Sequence, residues 1–214
     1  MRRWQGTADP PLTDLGRQQA ATTARLLVAL RLEFASIWTS DLRRASQTAA
    51  IIAATLGLGE PIVDARLQEA DAGEWEGLTP EEIEVRWPGW LDAHHRPATF
   101  EPYPAVVARA TEALHDIAAR TAADGIPAAL VVAHSGVARS LVRDLGGFDS
   151  RIPNLGGVWF TASIVERRSD RAVGDLVLGD VFDPAGVIVT GVDAPGEDPG
   201  EESDEADAQR AAER

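Results

Sequence analysis

The segment AALVVAHSGVARSLVRDL constrains the fold more than any other stretch of the chain. An apolar run from Ala128 to His134 reads as a buried strand, and the residues from Gly136 onward read as a helix closed by Gly146. The same joint recurs earlier. Ala35 to Trp38 looks like a short buried strand, and Ser40 and Asp41 open a helix that ends near Gly57. Before it, Leu15, Ala20, Ala24, Leu27 and Leu30 recur near helical spacing behind Thr13, a natural N-cap, which predicts a first helix over 14–32. Pro61 to Val63 makes another short strand. Thr79-Pro80-Glu81-Glu82 is a capping box with proline at the first helical position, so a helix starts there and stops near Pro88. A longer helix is expected from Pro104 to Thr121. Two further strands are expected at Trp159–Val165 and Leu176–Phe182. Strands alternating with helices imply an α/β fold: a three-layer α/β/α sandwich around a mostly parallel central sheet.

With 214 residues, 44% of them apolar, the chain can build one full core. The expected domain is 1–190. The remainder, 191–214, carries nine acidic residues against two arginines, half of the formal net charge of −14. Rich in proline, glycine and acids, it has too little apolar surface to offset the entropy of ordering and reads as a disordered acidic tail.

All 20 basic residues are arginine and there is no cysteine. Without lysine there is no Schiff base and no phosphate-loop GK[ST] motif; without cysteine there is no thiol nucleophile, disulfide or iron–sulfur cluster. No apolar run approaches the ~20 residues of a membrane span. The expectation is a cytoplasmic protein that contacts no membrane. The acidic balance argues against nucleic acid as a partner, because phosphate backbones are met by basic faces.

Three positions carry chemistry. His134 stands at the carboxyl end of a strand beside the free N–H groups of a helix N-terminus, where anions bind in α/β proteins, although a lone histidine there also serves structural roles. Arg43 and Arg44 stand at the second such joint; successive helical side chains diverge by about 100°, so at most one faces a site. Glu69 lies in a loop after a strand. Together they offer a cation, a phosphate-facing imidazole and a proton donor, a set suited to phosphoryl transfer.

Five segments in order, RRWQGTADPPLTDLGRQQA, TSDLRRASQTA, RLQEADAGEWEG, VVAHSG and GDVF, make the chain resemble the histidine phosphatase (phosphoglycerate mutase-like) superfamily, nearest to bacterial broad-specificity phosphatases. The likeness spans most of 1–185. It implies hydrolysis of a small phosphomonoester through a phosphohistidine, with no cofactor and no metal, and it leaves a homodimer open. It assigns Arg44 to clamp the phosphoryl oxygens, leaving Arg43 exposed. Glu69 becomes the acid that protonates the leaving alcohol. His134, with Ser135 beside it, binds the phosphoryl group and stabilises its charge. Gln5 falls on a position that lines the phosphate pocket in relatives, and equally fits a loop that packs the entrance.

The resemblance also implies a first strand, central in the sheet, ending in R-H-G about ten residues before RWQG. Its histidine attacks phosphorus and its arginine is half of the clamp. Neither has a counterpart in this sequence, so the fold is expected to lack its first central strand. The nucleophile is expected upstream of Met1, and the chain itself is expected to be weak or inactive. His94, His95 and His115 fit a surface stretch and a helix face better than a replacement nucleophile, and the His94–His95 pair is a poor metal site. A second departure precedes Arg109: relatives carry G-G-E-S where this chain has TFEPYPAVVARA, with Glu101 the nearest acid. Leu78 to Pro104 lacks the Arg- and Pro-rich insertion of cofactor-dependent mutases, which favours phosphatase over mutase. Trp87, Trp90, Phe100 and Tyr103 either cap the pocket or pack small helices onto the core. Two other functions stay open: a non-catalytic phosphate-ligand binder or interaction protein, and a phosphoglycerate mutase.

Overall fold

The structure, a computed structural model, describes residues 3–123, 128–148, 152–168, 171–182 and 188–189. The expected acidic tail lies outside the described residues, as do Met1 and Arg2.

Helix α1 spans Asp14–Ala29, with the Thr13 hydroxyl accepting from the Gly16 N–H as its N-cap. It stops short of Leu32, because Leu30 caps it and Arg31 takes a positive φ. Strand β1, Ser36–Thr39, leads into α2, Arg43–Leu56, which Gly57 closes at φ +69°. Strand β2 is Ile62–Val63. Two single 3-10 turns follow, Ala65–Leu67 and Gly73–Trp75. Helix α3, Pro80–Arg86, starts at the complete Thr79/Glu82 capping box. Then come α4, Tyr103–Ala123, β3, Ala129–Val132, and α5, Ser135–Asp144. The chain continues into β4, Gly157–Arg168, β5, Arg171–Phe182, and β6, Ile188–Val189.

Strands β2, β1 and β3 pair in that order, all parallel, with Ile37 opposite Leu130 and Trp38 opposite Val131. The two-residue period of the strands sends alternate side chains into opposite layers. Ile37, Leu130 and Val132 pack with Ala24 and Leu27 of α1 and Ala49, Ile52 and Ala53 of α2. Trp38, Ala129 and Val131 pack on the other face with Leu67 and with Ala113 and Ile117 of α4. This is the expected α/β/α layering. The later strands differ from the parallel expectation: β4 and β5 form an antiparallel pair, joined by β6, in a second sheet. With antiparallel neighbours they can face solvent on one side, and Trp159 and Val177 are exposed.

Strand β1 is paired along both edges and is buried after its first residue. Strand β3 pairs only with β1 among the described residues, and all four of its residues are half-buried.

Candidate active site

Both parallel joints deliver a basic side chain to the carboxyl end of the sheet. At the first, α2 has no side-chain cap of its own; Asp9 of the N-terminal loop accepts from the Arg43 N–H instead, and Ser40 Oγ accepts from the Leu42 N–H at 3.2 Å. Arg43 is exposed while Arg44 is half-buried, as expected of neighbours on one helix. The Arg44 guanidinium donates Nη1–H to the Ala8 carbonyl at 2.6 Å and Nη2–H to that of Gly6 at 2.8 Å. Gly6 makes this loop possible: its φ is +51°, and a Cβ there would press on the backbone of Ala72. Burial pulls Arg44 below the usual guanidinium pKa, against the opposing pull of Glu69, Asp9 and Glu76.

At the second joint His134 is the N-cap residue of α5, and its carbonyl accepts the first helical bond from the Ala138 N–H at 3.1 Å. Its Nε2 is buried with no hydrogen-bond partner among the described residues. Burial, then the positive charges of Arg44 and Arg109, hold the imidazole down to a pKa of about 3. The ring is therefore neutral near pH 7 and has one nitrogen without a partner. Ser135 is exposed at the first position of α5.

Glu69 comes from the coil between the two 3-10 turns and reaches across to this helix. Its Oε2 accepts from the Gly136 N–H at 3.1 Å and its Oε1 from its neighbour Ala70 N–H at 2.9 Å. A carboxylate on a free N–H of the first helical turn is electrostatically favoured. Residue 136 must be glycine for this, since a Cβ there would collide with the carboxylate.

The structure thus brings Arg44, Glu69 and His134 into one electrostatic environment from three separate segments. Gln5 is exposed and contributes its carbonyl to a turn with the Ala8 N–H at 2.9 Å; the loop meets Arg44 through Gly6 and Ala8 instead. Of the other histidines, His94 is exposed in a turn with φ +54°, His95 packs edge-on against Trp90, and His115 is buried in α4. No group of three or more metal-ligating side chains occurs among the described residues. Trp87, Trp90 and Phe100 surround the fully buried Trp75 together with Trp4, so their role is packing. Tyr103 donates its hydroxyl to the Ser140 carbonyl at 3.0 Å, tying α4 to α5. Asp9 and Arg109 escaped the sequence reading. Asp9 caps a helix more than thirty residues away, and one arginine on a long helix has no distinguishing neighbour.

Residues 1–177 match the family model described as the histidine phosphatase superfamily (branch 1). A glucosyl-3-phosphoglycerate phosphatase of Mycolicibacterium vanbaalenii is 33% identical over 184 residues, covering 81% of this chain and 80% of that protein. A 2,3-bisphosphoglycerate-dependent phosphoglycerate mutase of Methylorubrum extorquens is 32% identical over 158 residues, 68% of this chain and 72% of that one. Among solved structures, the native form of a mycobacterial glucosyl-3-phosphoglycerate phosphatase aligns with a TM-score of 0.66 at 28% identity, covering 76% of this chain and 83% of the other. No helix among the described residues is long and apolar enough to cross a membrane.

Proposed function

Because this chain belongs to the histidine phosphatase superfamily, we propose that its site serves a cytoplasmic, metal-independent phosphomonoesterase acting on small phosphorylated molecules through a phosphohistidine. The observation that carries the reading is the Glu69 carboxylate held on the Gly136 N–H, two residues past a neutral, half-buried His134 whose Nε2 has no partner among the described residues. In that reading the neutral His134 offers Nε2 to a phosphoryl oxygen, and the anion's charge draws a proton onto the ring. Arg44 supplies the nearby positive charge; its two bonds to Gly6 and Ala8 orient it from behind. Glu69, entering the first step as the carboxylic acid, delivers its proton to the leaving oxygen and, left as the carboxylate, takes one from the attacking water in the second step. Ser135, exposed at the helix start, lines the mouth.

The attacking imidazole of that reading has no counterpart among residues 1–214, so 1–214 alone are expected to turn over little. The test compares this chain with a version extended by an N-terminal strand ending in R-H-G, using p-nitrophenyl phosphate with EDTA present. Glucosyl-3-phosphoglycerate, the ester named for the mycobacterial relatives, is the first natural-type substrate to try. Expected is strong hydrolysis only by the extended protein, lost on His134→Ala or Glu69→Gln. Strong activity of the unextended chain that His134→Ala abolishes would sink the missing-nucleophile part. Binding of phosphate or vanadate by calorimetry with no hydrolysis in either form would establish the binder instead. A strict need for a bisphosphoglycerate primer would establish the mutase.

A further inference from the structure

Glu69 has no regular secondary structure to hold it, yet its carboxylate sits on one backbone N–H of a helix 67 residues away. What fixes the loop is Arg109, on the second turn of α4. Its Nη1 donates to the carbonyls of Arg66 and Gln68, both at 2.7 Å, and its Nη2 to the carbonyl of Glu69 at 3.3 Å. The remaining N–H groups, on Nε and Nη2, go to the two carboxylate oxygens of Glu101, each at 2.8 Å. A guanidinium has five N–H donors, and every one of them is used.

Glu101 is in turn tied to the far end of the same loop. Its N–H donates to the Asp71 carbonyl at 2.9 Å, and its Oε2 accepts from the Asp71 N–H at 3.3 Å. The pair therefore grips the loop on both sides of Glu69, at 66–69 and at 71. Both side chains are about one-fifth exposed. A bidentate arginine–carboxylate pair in such a place is more rigid than an exposed ion pair.

We infer that the Glu101–Arg109 pair is a positioning device that holds the loop so that the Glu69 carboxyl group stays at the Gly136 N–H, where in the phosphatase reading it gives up and takes back the proton. The inference rests on the phosphatase reading only for what Glu69 does, not for how it is held. With no donor left over, Arg109 does not bind substrate. Its charge also bears on His134, whose imidazole it helps keep neutral. Lysine cannot replace it, because an ammonium has three donors and no planar fork.

Gly136 supplies a local readout. It lies in the first turn of α5, where N–H groups have no intrahelical acceptor, so the Glu69 carboxylate is its acceptor among the described residues. Amide hydrogen exchange followed by two-dimensional NMR on the full chain should show Gly136 exchanging at least tenfold faster in Glu101→Gln and in Arg109→Lys. Glu69→Gln should move the Gly136 amide resonance in the same direction as both. Leu141 and Val142, deeper in α5, should keep their protection, which a general loosening of the domain would not allow. If Arg109→Lys unfolds the chain, exchange rises throughout α4 and α5, and the milder Glu101→Gln decides. Unchanged Gly136 exchange in a folded Glu101→Gln protein overturns the inference. This readout needs no turnover, so its failure leaves the phosphatase reading standing, and failure of the hydrolysis assay leaves the clamp standing.

Discussion

The two strand-to-helix joints of the parallel sheet are built alike but differ in how they are completed. At β1–α2 the strand has a neighbour on each edge, the helix start is capped by Asp9, and Arg44 is bound to two loop carbonyls. At β3–α5 the strand is paired on one edge among the described residues, and the His134 ring has a nitrogen with no partner there. The first joint is a finished structural unit that also presents a cation. The second is where hydrogen-bonding capacity is left over, which is what a binding site requires, because a group already satisfied within the fold gains little from a ligand.

The largest test of this contrast is a matched pair of truncations. Ile37 and Leu130 are register partners facing the same helices, but Ile37 is 1% exposed and Leu130 is half-buried. Ile37→Ala should destabilise by about 2–5 kcal/mol, the range for fully buried aliphatics, and Leu130→Ala by roughly half as much. Urea unfolding followed by tryptophan fluorescence measures both. Equal losses would mean that β3 is as well covered in solution as β1, and the contrast would fail.

A smaller effect is expected at the arginines. Arg44→Ala removes two hydrogen bonds from a charged donor and should cost about 2–3 kcal/mol, while Arg43→Ala, exposed, should stay within about 0.5 kcal/mol. The same denaturation series reads them. If Arg43→Ala cost as much as Arg44→Ala, the loop 5–9 would not depend on the bonds that complete the first joint.

How far these joints were legible beforehand follows from range. Strands β1 and β3, the Thr13 N-cap and the Thr79 capping box depend on residues within a few positions, so local pattern found them. The choice of Arg44 over Arg43 came from the same helical geometry together with the family pattern. Long-range facts were not legible. The antiparallel β4–β5 pair differs from a parallel strand only in its partner, which a single strand's composition does not reveal. Arg109 was invisible because its role is defined by three carbonyls about 40 residues away, and carbonyls carry no sequence signature. At Gln5 the side chain is exposed, and the carbonyls of Gly6 and Ala8 beside it accept from Arg44.

The finest test concerns protons on His134. Its folded pKa of about 3 lies below the ordinary 6.5, so between those values the unfolded chain binds a proton that the folded chain does not. Stability contributed by the neutral ring is then fully present above about pH 6.5 and is lost as pH falls toward 3, with a limiting slope of about 1.4 kcal/mol per pH unit. His134→Gln should remove that slope from a stability–pH curve recorded by urea unfolding, and NMR should show the ring neutral at pH 7. Phosphate or vanadate reverses the balance, because an anion beside the ring favours imidazolium. Binding near neutral pH should therefore take up protons, seen as a buffer-dependent heat in calorimetry. If the uptake persists unchanged in His134→Gln, the proton acceptor lies elsewhere, and the unsatisfied nitrogen of the second joint is not where the anion is met.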